Sequence, residues 1–290
     1  MLQIKYTEEQ GFMHPVDVKK FVKQSSSVQG WFSSEAAMLF AWVDQIQQSN
    51  QISGDCFEIG CHHGKSAMLL GGLVDPATEK LAVCDLFGMQ TDNVSRSGNG
   101  DLDTFERNMK EAKDAGLTIN VFQKNSADLT ADEIGRNYRF FHIDGGHNPE
   151  EALVDLHLAA ECLVDRGVIA LDDPFRMEWP GVTEALLRFL DENNEFQAIM
   201  VGFNKLLLTR KAWSGLYLKE FEDLSCRETY KLGYPWRVKQ LPFHQFDLRI
   251  IYVPDYLQKL TPGNIARRIY HKTRRFLATR RQDQAAAKPA

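Results

Sequence analysis

Apolar positions along this chain alternate between two rhythms, one of helical spacing and one of short continuous runs, and that alternation predicts an α/β fold. From Ser33 to Gln48, behind a cap at Ser33 or Ser34, Ala37, Leu39, Phe40, Trp42, Val43 and Ile46 recur on one helical face. The run Cys56-Phe57-Glu58-Ile59 then ends at Gly60, and a helix signal follows from Lys65 to Leu73. Strand, glycine turn and helix make a first β-α unit. Further units follow: strands at Lys80–Leu86, Thr118–Gln123, Arg139–Asp144 and Gly167–Asp172, with helices at Leu102–Ala115, Pro149–Leu163 and Trp179–Glu192. Helices between strands imply parallel pairing and a sheet covered on both faces. The last two runs, Phe196–Val201 and Lys205–Thr209, are separated only by a few residues around Gly202-Phe203-Asn204, too few for a parallel crossover. The expected architecture is therefore a Rossmann-like, seven-stranded, mostly parallel sheet with an antiparallel last strand.

Four segments are expected: a helical N-terminal segment at 1–50, the main domain at 51–211, an aromatic-rich extension at 212–261 whose topology is unassigned, and a basic tail at 262–290. The Gly-, Ser- and Asn-rich stretch from Phe87 to Gly100 reads as a long functional or mobile loop within the second β-α connection.

Composition narrows the chemistry. The chain has 290 residues and a net charge of −5, but residues 262–290 hold eight Lys or Arg against Asp283 alone, leaving −12 on the rest. An acidic body argues against nucleic acid as a partner. No run of eighteen apolar residues and no basic, apolar leader occur, so the expected address is the cytoplasm. Cys56, Cys61, Cys84, Cys162 and Cys226 form no Cys-x-x-Cys pair, and most of them read as buried small hydrophobes. In the tail, Ile265, Ile269, Tyr270, Thr273, Phe276 and Leu277 share a helical face, with Arg267, Arg268, His271, Lys272, Arg274 and Arg275 elsewhere. Such a basic amphipathic helix suits peripheral contact with an anionic membrane or a lipid-linked glycan, or equally packing on the chain's own acidic body.

The turn Glu58-Ile59-Gly60-Cys61-His62-His63-Gly64-Lys65-Ser66 lies where open parallel sheets bind ligands. A phosphate loop would need four residues between its glycines, and Gly60 and Gly64 enclose three; Ile169-Ala170-Leu171-Asp172 could still serve such an NTPase as its acidic strand. A dinucleotide turn would need glycine where His62 stands. S-adenosylmethionine is cationic at sulfur and has no phosphate, so a carboxylate such as Glu58 beside the turn becomes favourable. Asp85, ending the second strand, is placed for the ribose hydroxyls, and Ser126 and Asp128 for the adenine edge.

These residues resemble the class I S-adenosylmethionine-dependent methyltransferases over about residues 34–211, through Glu-Ile-Gly-x-x-x-Gly-Lys-Ser at 58–66 and Cys-Asp at 84–85. The resemblance implies that Gly60, Cys61 and Gly64 pack on the methionine moiety and that Ser66 lies near its carboxylate.

At the ends of the fourth and fifth strands, Asp144, Asp172 and Asp173 gather oxygen donors of the kind that suit magnesium, manganese or calcium, and Asp144 is also placed to touch the cofactor. The simpler reading is that Asp172 and Asp173 cap the next turn and that His147 caps or packs a helix. Phe-His-Ile-Asp-Gly-Gly-His at 141–147 and Ile-Ala-Leu-Asp-Asp at 169–173 resemble the metal-dependent O-methyltransferases that act on sugar hydroxyls of macrolide and aminocoumarin antibiotics. That likeness implies Asp144, Asp172 and Asp173 as metal ligands, His147 as the base, and a sugar or glycan hydroxyl of a small molecule or lipid-linked glycan as acceptor. Some of those enzymes carry an acid at the position of Gly146. Two other functions fit the sequence: a P-loop-like NTPase, and a non-catalytic cofactor-binding or membrane-associated module.

Overall fold

A computed structural model describes residues 16–89, 91, 93, 98–222 and 236–252. The basic tail and Cys226 lie outside the described residues, as does most of the Gly- and Ser-rich stretch between 90 and 97.

Nine strands form one sheet, two more than the sequence pattern predicts. They are β1 (Asp55–Ile59), β2 (Leu81–Asp85), β3 (Ile119–Gln123), β4 (Tyr138–Ile143), β5 (Leu163–Asp172), β6 (Phe196–Gly202), β7 (Lys205–Arg210), β8 (Arg237–Phe243) and β9 (Phe246–Tyr252). Their spatial order is β3-β2-β1-β4-β5-β7-β6-β9-β8. β1 to β5 pair in parallel, while β7 runs antiparallel to both β5 and β6. The two unforeseen strands make a hairpin that joins the sheet by a parallel pairing of β9 with β6. The described parts of the expected 212–261 extension thus complete the main sheet. Mixed, largely exposed positions along β8 hid it from a periodicity argument.

The helices are α1 (Val18–Gln24), α2 (Ser34–Ser49), α3 (Lys65–Leu73), α4 (Leu102–Asp114), α5 (Ala131–Ile134), α6 (Pro149–Cys162), α7 (Pro180–Glu192) and α8 (Lys211–Glu222). Side chains of α2, α3, α4 and α8 pack on one face of the sheet, and those of α5, α6 and α7 on the other. Ser33 caps α2 as expected, its hydroxyl accepting from the Ala36 amide at 3.1 Å. Asn148 caps α6 in the same way, with Pro149 at the first helical position. These caps fix the helix entries that frame the site.

Because β1 and β4 are buried on both faces, a polar residue in them must find its partner inside the protein. Registry supplies two such partnerships: Glu58 lies opposite His142, and Asp172 opposite Lys205. The chain order reverses between β1 and β4, which is where ligands enter sheets of this kind.

Candidate active site

A cavity of about 380 Å³ opens at that reversal, lined from the strand ends of β1, β2, β3, β4 and β5 and by the segment Gln29–Phe32 ahead of α2. Its size suits a nucleoside-sized ligand. The turn after β1 is held tightly. Gly60 has φ +82°, and a Cβ there would stand 1.9 Å from the Asp144 carbonyl oxygen, so only glycine lets the β1 and β4 turns approach this closely.

Of the nine residues expected around the cofactor, Gly60, Cys61, Ser66, Asp85, Ser126 and Asp144 line the cavity. Asp85 accepts the amides of His62 at 2.7 Å and Phe87 at 2.6 Å, which braces the turn against the end of β2. Burial raises its pKa despite those two bonds. Three residues do not reach the wall. Gly64 instead adopts a left-handed conformation that starts α3, packed beneath Phe105. Asp128 faces solvent.

Glu58 is the consequential correction, because the charge argument from sequence placed it beside the ligand. It is 0% exposed and lies below the cavity floor, with Oε1 2.8 Å from His142 Nδ1. Burial pushes its carboxyl up to about 8, against the opposing influence of Ser66 and Lys205. His142 is pushed down to about 3 by burial and by the Lys205 ammonium. Near neutral pH the pair therefore carries little charge, and its attraction for a cation is small. The acids that line the cavity are instead Asp85, Asp144, Glu151, Asp172 and Asp173.

Those three acids do not form one cup. Among the described residues, donor atoms converge within 4.8 Å in two groups, Asp144–His147–Asp173 and His142–Asp144–Asp172. Asp172 is engaged from several sides, by Lys205 Nζ at 2.6 Å, Asn204 Nδ2 at 2.8 Å and the Asp173 amide at 2.9 Å. Asp173 accepts from Arg176 at 3.2 Å and from Asn204, and sits 3.2 Å from His147 Nε2. Although burial works to raise the Asp173 carboxyl, these partners win and hold it at about 2. Asp144 goes the other way, raised well above the usual carboxylate range by burial and by Asp172 beside it. His147 stacks on Trp179 with ring centroids 4.2 Å apart, which fixes the imidazole plane at the cavity edge.

Sequence reasoning missed Lys205, Asn204, Trp31, Trp179, Arg176 and Glu151. One signal was available for Lys205, a lone charge opening the apolar run Lys205-Leu206-Leu207-Leu208. Nothing local marked Trp31, which arrives from outside the parallel core to line the cavity and lie 5.4 Å from the His62 ring. The turn is not arranged as a phosphate cradle either, since Lys65 Nζ reaches back to the Gly30 carbonyl at 3.4 Å.

Residues 57–174 match the model of a family described as a methyltransferase domain. In fold the chain is similar to the O-methyltransferase NovP, with a TM-score of 0.50 and 14% identity over 62% of this chain and 83% of that one. It is also similar to CalS11, the TDP-rhamnose 3'-O-methyltransferase of calicheamicin biosynthesis (TM-score 0.48, 12% identity, 71% and 99% covered). A third is TomG of Streptomyces achromogenes, an O-methyltransferase of tomaymycin synthesis solved with S-adenosylmethionine (TM-score 0.45, 12% identity, 69% and 91% covered). No curated protein sequence matches. Residues 57–174 thus match a methyltransferase domain, set in a fold that the chain shares with NovP.

Proposed function

We propose that this chain is a class I, S-adenosylmethionine-dependent methyltransferase acting on a hydroxyl oxygen, with a sugar or glycan hydroxyl of a small molecule or lipid-linked glycan as the leading acceptor. The observation that carries the oxygen reading is the Asp144–His147–Asp173 group on the cavity wall, a base and carboxylates gathered at the strand ends. A hydroxyl is a poor nucleophile at neutral pH and needs its proton removed as it attacks.

Gly60, Cys61 and Ser66 would hold the methionine part of the cofactor, Asp85 the ribose, and Ser126 the adenine side. When bound there, S-adenosylmethionine would supply a methyl group activated by cationic sulfur, with the electron pair of the carbon–sulfur bond left on sulfur. His147 takes the hydroxyl proton. In the tautomer where Nε2–H donates to Asp173 Oδ2, Nδ1 is the basic nitrogen, and the Asp173 carboxylate stabilises the imidazolium that forms. Stacking on Trp179 keeps the ring from turning away. Asp172, tied to Lys205 and Asn204, positions the neighbouring acids and is itself unavailable as a base.

A divalent cation is a second reading, favoured by the convergence of Asp144, His147 and Asp173. Two hard carboxylates and one imidazole fit magnesium or manganese. Asp144 and Asp173 with His147 would hold the ion, which would supply Lewis acidity toward the acceptor oxygen. His147 would then be a ligand and not the base.

Calorimetric titration with S-adenosylhomocysteine, ATP and NAD tests the class-level chemistry; only the first should bind, and a nucleoside triphosphate binding more tightly would refute the proposal. Turnover after EDTA treatment separates the two mechanisms. Undiminished activity assigns the proton to His147, and loss restored by Mg²⁺ assigns the metal.

A further inference from the structure

On the side of the cavity bounded by the segment after β3 and the turn after β4, the wall is made by Lys124, Asn125 and Ser126, by Gly145 and Gly146, and by Glu151 from α6. With Asp85 placed for the ribose at the end of β2, this corner is where the base of a bound nucleoside comes to rest. Most polar groups of the corner are already used. Lys124 Nζ pairs with Glu133 at 3.0 Å, and Asn125 Oδ1 accepts the Ala127 amide at 3.0 Å. Glu151 differs: its Oε2 is buried and has no hydrogen-bond partner.

Two features deliver that carboxylate to the wall. Asn148 Oδ1 accepts the Glu151 amide at 2.9 Å and so fixes the first turn of α6. Gly146 leaves the space, because a Cβ there would stand 2.1 Å from Glu151 Oε2 and 2.7 Å from its Cδ. The side chain absent at 146 is thus replaced by a carboxylate arriving five residues later, from the helix that packs on the Ser126–Asp128 turn. A buried acceptor left unpaired is costly, and a ligand that brings a donor to it would offset that cost.

We propose that Glu151 reads the adenine of the cofactor, accepting a hydrogen bond from its 6-amino group. This rests on the methyltransferase reading above. Adenine offers acceptors at its ring nitrogens and a donor only at the exocyclic amine, so a carboxylate at this corner selects that edge. It also takes the place that the sequence assigned to Asp128, which faces solvent.

The test is calorimetric binding of S-adenosylhomocysteine and of S-inosylhomocysteine, which carries a carbonyl in place of the 6-amino group. The wild-type chain should prefer the adenine compound by about ten- to a hundredfold, the effect of a hydrogen bond to a charged group. Glu151→Gln should weaken that binding and erase most of the preference, because an amide can donate to the 6-carbonyl; Glu151→Ala should erase it by weakening the adenine compound alone. Equal wild-type affinities would overturn the assignment, as would an unchanged preference in Glu151→Gln accompanied by a fall in kcat, which would make Glu151 a group of the transfer step. If the wild-type chain bound neither compound, the methyltransferase reading itself would fall.

Discussion

β4 has a buried polar cluster near each end, and the two are built differently. Near its start, Arg139 is 2% exposed and has every guanidinium N–H engaged. Nε and Nη2 donate to Glu79, Nη1 to Asp44 and Gln47, and Nη2 also to the Leu73 carbonyl. At its other end, His142 Nε2, Glu58 Oε2 and, at the nearby corner, Glu151 Oε2 are buried without partners. Burial alone therefore does not distinguish these two clusters; saturation does. The satisfied cluster fixes α2 against the sheet, whereas the cluster beside the cavity leaves two carboxylate oxygens and a ring nitrogen unpaired.

If that contrast is right, the two clusters should fail in different currencies. The largest effect is expected from Arg139→Leu, which strands Asp44 and Glu79 in the interior and should cost about 3–5 kcal/mol in urea unfolding. Affinity for S-adenosylhomocysteine, measured on the folded fraction, should be unchanged. A loss under about 1 kcal/mol would show that the saturated network is not a structural anchor. His147→Ala should do the reverse, lowering turnover about a hundred- to ten-thousandfold while leaving the urea midpoint and cofactor affinity close to wild type. Wild-type turnover in that variant would take both the base and the ligand role from His147.

How far the sequence showed this division follows from the range of each signal. Parallel strands, caps and the glycine turn are local, so β1 to β7 and the Ser33 cap could be read from spacing, whereas the cap of α6 is Asn148 and not the His147 that the sequence offered. That Asp85, Asp144 and His147 line the cavity was legible for the same reason, each standing at or just past the end of a strand. What was not legible depends on pairing across the chain. Whether Glu58 faces a ligand or His142 is decided by the registry of β1 on β4, and whether Asp172 is free is decided by Lys205, 33 residues away on an antiparallel neighbour. Glu151 was hidden for a related reason: a Glu in the first turn of a helix ordinarily reads as a favourable dipole partner. Only the missing side chain at Gly146 reveals that its carboxylate is turned into the cavity.

A subtler contrast lies in pH dependence. Glu58 is raised from 4.5 to about 8 in the folded chain, so between those values the folded state keeps a proton that the unfolded state has lost, and stability falls as pH rises. His142, lowered from 6.5 to about 3, works the opposite way below 6.5, where the unfolded state takes up the proton. The two oppose each other from about 4.5 to 6.5, and from 6.5 to 8 Glu58 acts without that counterweight. Glu58→Gln mimics the protonated form and should remove about 1 kcal/mol per pH unit from the downward slope in that upper window. Urea titrations at pH 6.5, 7.2 and 8 would measure it, and identical slopes in both proteins would mean that Glu58 is charged at neutrality and that the floor does contribute to cation attraction.

The smallest expected effect is the most economical check on where the adenine lies. Asp128 and Ser126 belong to the same short 3-10 turn, yet only Ser126 lines the cavity. Asp128 is exposed, and a hydrogen bond made through solvent is worth little. Asp128→Ala should accordingly change S-adenosylhomocysteine affinity by less than about twofold, within the few tenths of a kcal/mol usual for surface substitutions. A tenfold loss would mean that the turn closes over the ligand on binding and brings Asp128 to the adenine. The acid at that edge would then come from the β3 side, and Oε2 of Glu151 would need another partner.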